Sequence, residues 1–209
     1  MRIFVADDQV VVREGIKRII ADTSDMLVVG EAKAGQEMVA QVNAQPVDVV
    51  ILDISMSGGN GLEVLQELKQ VQPWVPVLVF TSHPEHHHAV RAFKAGAKGY
   101  LTKDSQPEEL LQALRKVAQG GCYASSALAE HLILSMTQEA EQPLHARLSN
   151  REYQVLCLLA SGKTVSAIGE ELALSVKTIS TYRGRLLEKL QMRTTAELIH
   201  YAIRQHLVD

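Results

Sequence analysis

Four stretches of this sequence, RIFVADD, VVILD, VLVFTS and YLTK, run through apolar residues and stop on polar ones. The polar stops are Asp7-Asp8, Asp53, Thr81-Ser82 and Lys103. Carboxylates gathered within ~5 Å of one another repel by roughly 1–3 kcal/mol per pair at intermediate dielectric. A hard divalent cation with oxygen ligands offsets that repulsion, and a loosely held Mg2+ suits such a set. Lysine and threonine are side chains that hold phosphoryl oxygens. With a carboxylate beside both, the chemistry indicated is attack by Asp53 on phosphorus to give an aspartyl phosphate. Such a transfer needs mainly positioning and charge neutralisation.

For these groups to meet, the apolar runs must be adjacent parallel strands, because an open α/β sheet gathers ligands beyond the carboxyl ends of its strands. Strands are expected at Arg2–Ala6, Met26–Ala32, Asp48–Leu52, Pro76–Phe80 and Gly99–Leu101. Helices are expected at Val10–Ala21, Gly35–Ala44, Gly61–Val71, Glu85–Ala95 and Pro107–Gln119. Near-continuous apolar strands alternating with helical stretches indicate a doubly wound, five-stranded parallel sheet covered on both faces. This first domain is assigned to residues 1–121. Residues 122–147 are read as a linker with a short helix near Ser125–Met136, because TQEAEQPLHA is polar, acidic and contains Pro143.

From Leu148 to the end the periodicity is helical, which marks residues 148–209 as a small all-α domain. Its helices are expected at Arg151–Ser161, Val165–Leu172, Val176–Leu190 and Ala196–His206, with S/T-x-x-E capping boxes at Ser149–Glu152 and Thr194–Glu197. Val165–Leu190 reads as helix, turn, helix: Gly169 permits close approach, Ala173-Leu174-Ser175 makes the turn, and Ser175 caps the second helix. On that helix Ile179, Tyr182, Leu186 and Leu190 form the inward stripe. Lys177, Thr181, Gly184 and Glu188, flanked by Ser180 and Arg185, form the outward face suited to a major groove. One such helix reads few base pairs, so a homodimer is expected. Leu198, Ile199, Ala202 and Ile203 either form its interface or complete the small core.

The order Asp7-Asp8, Asp53, Thr81, Lys103 on successive strands resembles a bacterial receiver domain, and the helical part resembles a LuxR-type helix-turn-helix domain. The whole chain is therefore similar to a two-component response regulator of the NarL/FixJ class, with a flavodoxin-like receiver. The resemblance implies that Asp53 accepts a phosphoryl group from a sensor histidine kinase. It implies that Asp8, Asp53 and the backbone carbonyl of Ser55 ligate Mg2+, with Asp7 acting through water. Thr81 and Lys103 would bind phosphoryl oxygens, and Tyr100 matches the aromatic that rotates in the switch. In the helical domain it assigns Lys177 and Thr178 to DNA phosphates, and Ser180, Thr181 and the site of Gly184 to base edges. Promoter DNA is the implied partner. Two positions depart from the family pattern, since Ser57 and Asp104 stand where prolines are usual. Taken singly, each site residue has a plainer explanation: Asp7-Asp8 as a helix cap, Asp53 and Thr81 as turn residues, Lys103 as a surface amine. Their joint placement on one rim is what favours a phosphoacceptor.

Charge agrees with two domains of different partners. The net charge of −3 divides into −5 over residues 1–147 and +2 over 148–209. No apolar run approaches the ~20 residues that span a bilayer, and MRIFVADDQ lacks a signal-peptide core, so a cytoplasmic, non-membrane protein is expected. Cys122 and Cys157 read as free thiols. Ser161-Gly162-Lys163-Thr164 lacks the first glycine of a P-loop, since position 157 is Cys. The run His83–His88 reads as a solvated helix start, not a metal site. A silent receiver on a phosphorylation-independent transcription factor, and an aspartyl-phosphate hydrolase, are the competing functions. Ser55, where a dehalogenase-type hydrolase needs a second Asp, argues against the latter.

Overall fold

The computed structural model describes the chain except residues 57–60, 83, 84, 127, 131–142, 206 and 209, and except the side chains of 85–87. Two compact units are present, Met1–Leu132 and Ile133–Asp209.

In the first unit, strands β1 (Arg2–Ala6), β2 (Leu27–Ala32), β3 (Val49–Leu52), β4 (Val77–Thr81) and β5 (Gly99–Thr102) form one parallel sheet in the order β2-β1-β3-β4-β5. Helices α1 (Val10–Ala21), α2 (Gly35–Ala44), α3 (Gly61–Val71), α4 (Glu85–Lys94) and α5 (Pro107–Ala118) connect and follow them. Side chains alternate across a strand, so the sheet feeds two cores. Phe4, Val50, Leu52, Val77 and Val79 meet Met38, Leu65 and Leu68 on one face. Ile3, Val5, Val49, Ile51 and Leu78 meet Ile16, Ile20, Leu110 and Leu114 on the other. Burial on both faces explains why β3 is apolar at every position. Strand order reverses between β1 and β3, and the crevice beyond that point is where such sheets bind ligands.

The expected strands and helices of the two units are present: β1, α1, α2 and α3 have the expected bounds, and no end of the others is shifted by more than two residues. β4 extends one residue beyond expectation because Thr81 still pairs with Thr102 on β5. The segment after Gly121, expected to be linker, begins as part of the sheet unit. Tyr123 bridges Gly99, its N–H donates to the Lys98 carbonyl at 2.9 Å, and Leu128 is buried in the first core. Residues 126 and 128–130 are helical, and the rest of the expected short helix lies outside the described residues. At the opposite rim from the strand C-termini, Trp74 on the α3–β4 connection is 90% exposed.

The second unit contains a 3-10 turn at Leu144–Arg147, then α6 (Asn150–Ala160), α7 (Val165–Glu171), α8 (Val176–Lys189) and α9 (Thr195–Arg204) around Leu156, Leu159, Ile168, Ile179, Leu186 and Leu198. The 3-10 turn falls within the expected linker but packs with the helices. Leu144 leans on their core, and the His145 N–H donates to Tyr201 Oη at 3.2 Å. The Ser149–Glu152 capping box forms both of its bonds, at 3.3 Å and 2.8 Å. At Thr194 half of the expected box forms: Thr194 Oγ1 accepts from Glu197 N–H, but the Glu197 carboxylate accepts from Arg193 N–H instead of Thr194 N–H. The GKT segment is a helix connection. Gly162, at φ 81°, ends α6 and Thr164 caps α7.

A Cβ at Gly61, the first residue of α3, would lie 2.3 Å from Ile54 Cα in the loop that follows Asp53. Backbone that close yields only by moving the loop. Gly61→Ala is expected to lower stability by about 2 kcal/mol in denaturant unfolding. An unchanged midpoint would contradict this packing.

Candidate functional site

The strand ends converge through backbone bonds before any side chain acts. Asp7 N–H donates to the Ala32 carbonyl at 3.1 Å, Asp53 N–H to the Ala6 carbonyl at 2.9 Å, and Lys103 N–H to the Thr81 carbonyl at 2.9 Å. These ladders continue one residue past β1, β3 and β5 and fix where the polar groups emerge.

At their tips, Asp7, Asp8 and Asp53 each present a carboxylate oxygen within 4.8 Å of the others. Asp7 and Asp53 are each 1% exposed, whereas Asp8 is half-buried. The Lys103 ammonium bridges Asp7 Oδ2 and Asp53 Oδ2, each at 2.7 Å. The remaining oxygens of the two buried acids accept backbone N–H groups: Asp7 Oδ1 from Gln9 and Asp53 Oδ1 from Ser55, each at 2.8 Å. Ser55 Oγ and Thr81 Oγ1 share a hydrogen bond of 2.9 Å, which places the buried Thr81 hydroxyl beside the Asp53 loop.

Among the described residues three carboxylates converge on one rim, and one ammonium bridges two of them, so like charges crowd together when all are ionised. At an effective dielectric of 20 each close carboxylate pair costs about 3 kcal/mol. Burial, only partly offset by Lys103 and the Gln9 N–H, pushes the Asp7 carboxyl above the ordinary carboxylate range, and Asp53 adds to the same direction. Burial opposes the charge on Lys103 as well, but its bonds to Asp53 and Asp7 outweigh that and hold the ammonium above the ordinary lysine range. The two directions agree, because one cation is shared by two anions. A divalent cation offsets that repulsion with oxygen donors already convergent, so the donor set fits a hard ion.

In the helical unit, α7 ends in a Schellman turn. Leu174 N–H donates to the Gly169 carbonyl at 2.8 Å, with Ala173 at φ 53°. A Cβ at Gly169 would sit 2.8 Å from the Leu174 carbonyl oxygen, which accounts for that glycine. Ser175 Oγ then accepts the Thr178 N–H at 3.0 Å and starts α8. Ile179, Leu186 and Leu190 are buried, and Tyr182 packs half-buried beside them. Lys177, Thr181, Gly184, Arg185 and Glu188 are exposed, with Thr178 and Ser180 at the margin. Glu152, 3% exposed, accepts Lys189 at 2.8 Å and so ties the last turn of α8 to the first turn of α6.

Two family descriptions match these two units. "Response regulator receiver domain" covers residues 3–115, and "Bacterial regulatory proteins, luxR family" covers residues 146–202. The chain belongs to the NarL/FixJ class of two-component response regulators. It is 38% identical to response regulator UvrY of Escherichia coli O157:H7, in an alignment spanning all of this chain and 96% of that protein. Identity to response regulator GacA of Pseudomonas aeruginosa is 37%, over all of this chain and 98% of that one. Among solved structures it resembles RcsB of Salmonella enterica serovar Typhimurium bound to promoter rprA with the phosphomimetic BeF3-. That likeness has a TM-score of 0.63 at 26% identity, covering 96% of this chain and 97% of that one.

In this response regulator the receiver groups expected from sequence, Asp7, Asp8, Asp53, Thr81 and Lys103, lie on one rim of the sheet. Tyr100 is wholly buried on β5, two residues before the Thr102 that pairs with Thr81. The expected loop departure at Ser57 lies outside the described residues, as do the side chains of His83, His86 and His87. Asp104 follows Lys103 through a trans peptide. Arg13, not expected at the rim, donates Nη1 to the Asp7 carbonyl at 2.7 Å; nothing in an arginine one turn into a helix announces that it folds back.

Because burial raises Asp7, its contribution to stability is full at acid pH and is lost as pH rises through its folded value. At neutral pH its charge is therefore a net cost. Asp7→Asn, which retains an acceptor for Gln9 N–H, is expected to be more stable than wild type at neutral pH by on the order of 1 kcal/mol. That difference should vanish towards acid pH. Equal pH profiles for the two proteins in urea unfolding would refute the charge cost.

Proposed function

We propose that this response regulator is a transcription factor switched by phosphorylation of Asp53. A sensor histidine kinase would be the donor. An Asp53 carboxylate oxygen forms the new bond to phosphorus as the donor's N–P bond breaks. The observation that carries the reading is the pair of 2.7 Å contacts from Lys103 Nζ to Asp53 and Asp7. They put an ammonium beside the carboxylate that would take on extra negative charge. In this reading Asp8, Asp53 and the Ser55 backbone carbonyl hold Mg2+, and Asp7 contributes through water. When bound, the ion supplies charge neutralisation for the transferred group. Lys103 then pairs with one phosphoryl oxygen, and the Thr81 hydroxyl leaves Ser55 to donate to another. Tyr100, on the neighbouring strand, follows that movement. The chain is modified once per transfer, so it acts as a stoichiometric switch and not as an enzyme.

The output is promoter binding as a homodimer. Lys177 and Thr178 would contact phosphates, and Ser180, Thr181, Gly184 and Arg185 would face base edges. Leu198 and Ala202 are committed to the helical core, whereas Ile203 on the same helix is 51% exposed and is offered as a contact between copies. Promoter binding places the protein in the cytoplasm. Among the described residues, no helix is long and apolar enough to cross a membrane.

Acetyl phosphate with Mg2+ is expected to label wild type at one phosphoryl group per chain, read by intact-mass spectrometry, and to leave Asp53→Ala unlabelled. Label retained in the Ala variant would refute the assignment. Beryllofluoride should tighten promoter binding in a gel-shift titration. The silent-receiver reading, kept open by Ser57 and Asp104, requires identical affinity with and without it.

Gly184 tests the DNA interface separately. No atom lies within 4 Å of a Cβ built there, so the fold has room for a side chain. Gly184→Ala is expected to stabilise the helical unit by about 1 kcal/mol through helix propensity. If DNA backbone or bases approach that bare turn, the same change weakens promoter binding. Tighter folding with unchanged DNA affinity would remove Gly184 from the interface.

A further inference from the structure

Arg13 is a charged side chain at the acidic rim with no part in the transfer described above. It lies on α1, yet its guanidinium turns back towards the strand ends. Nη1 donates to the Asp7 carbonyl at 2.7 Å while Nε donates to Glu31 Oε2 at 3.2 Å. Its side chain is 12% exposed, far less than the 41% of its partner Glu31 on β2. Glu31 also receives Lys17 at 3.2 Å, and Lys17 holds Glu14 at 2.6 Å, so the carboxylate that orients Arg13 is itself anchored. With Asp7 N–H bound to Ala32 and Asp7 Oδ1 bound to Gln9 N–H, the Asp7 backbone is held on both sides of its Cα.

We propose that Arg13 is a positioning residue for the cation site, clamping the turn between β1 and α1 so that Asp7 and Asp8 stay convergent with Asp53. The inference rests on the cation site proposed above. Repulsion among the three carboxylates drives the turn to open, and Asp7-Asp8 lies on the short connection from β1 to α1, whose cap residue Gln9 makes no side-chain capping bond. A guanidinium suits the task because its planar fork reaches a carbonyl and a carboxylate at once, which an ammonium point charge does poorly. The plainer alternative is a staple between α1 and β2 that adds stability and nothing else.

The test is an amide NMR titration with MgCl2 at constant ionic strength, on wild type, Arg13→Ala and Arg13→Lys, with thermal unfolding of each in the absence of Mg2+. Arg13→Ala is expected to weaken Mg2+ affinity about tenfold, with Arg13→Lys in between. Acetyl phosphate labelling should half-saturate at correspondingly higher Mg2+ in both variants. A staple predicts a lower melting temperature with Mg2+ affinity within about twofold of wild type, and that result overturns the proposal. If Arg13→Ala does not fold, Arg13→Lys decides by the same criterion. Wild type failing to bind Mg2+ would bring down the cation-site reading and this inference together. Wild-type binding matched by both variants would bring down the inference alone.

Discussion

One ammonium group shared between two buried carboxylates is the constraint around which the receiver unit is arranged. Lys103 can reach Asp7 and Asp53 together only because β1 and β3 are adjacent in the sheet and β5 delivers the lysine from one strand beyond β4. Parallel pairing puts all these strand ends on the same rim, and apolar residues on both faces keep the strands covered by helices on either side. The fold thus concentrates charge at a place where water is scarce. The crowding of Asp7, Asp8 and Asp53 at that place is the feature on which the proposed cation site rests.

The helical unit rests on a different device, the ends of its helices. Helices α6, α7 and α8 each finish in the same six-residue pattern, with Gly162, Ala173 and Gln191 in the left-handed region. Each stop is followed within a few residues by a hydroxyl cap, Thr164, Ser175 and Thr194, that starts the next helix. The angle at which α8 leaves the turn is therefore set by local hydrogen bonds as well as by the core. Glu152 adds a tether from the far end: burial works against its charge, but Lys189 and the Ser149 N–H outweigh this and hold its carboxyl below the ordinary glutamate range. An exposed helix face that must meet a rigid partner gains from being fixed at both ends.

Much of this was legible in the sequence because the signals were periodic or stepwise. Apolar runs ending on Asp53, Thr81 and Lys103 marked the strands and the rim on which these polar ends meet, and the Ser149 box marked the start of α6. The misses have a common cause, since they depend on single contacts across the fold. Tyr123 joins the sheet through one bridge with no alternating pattern around it, and Leu144–Arg147 is held by the contact of His145 with Tyr201. The difference in burial between Asp7 and Asp8 depends on which side of the turn faces Lys103, and two identical letters carry no hint of it. Arg13 is the sharpest case, because its partners, Asp7 and Glu31, lie just past β1 and on β2.

Trp74 is the sole tryptophan of the chain, and it stands in solvent at the end of the sheet away from the acidic rim. Indole emission from this protein therefore reports on a groove bordered by Asp25, Asp48 and Arg115, separated from Asp53 by the length of β4. Fluorescence quenching, a common optical probe of ion or phosphate-analogue loading in small proteins, would here be watching a remote lamp. A reporter placed near Ser82 would have to be introduced to see the chemistry directly.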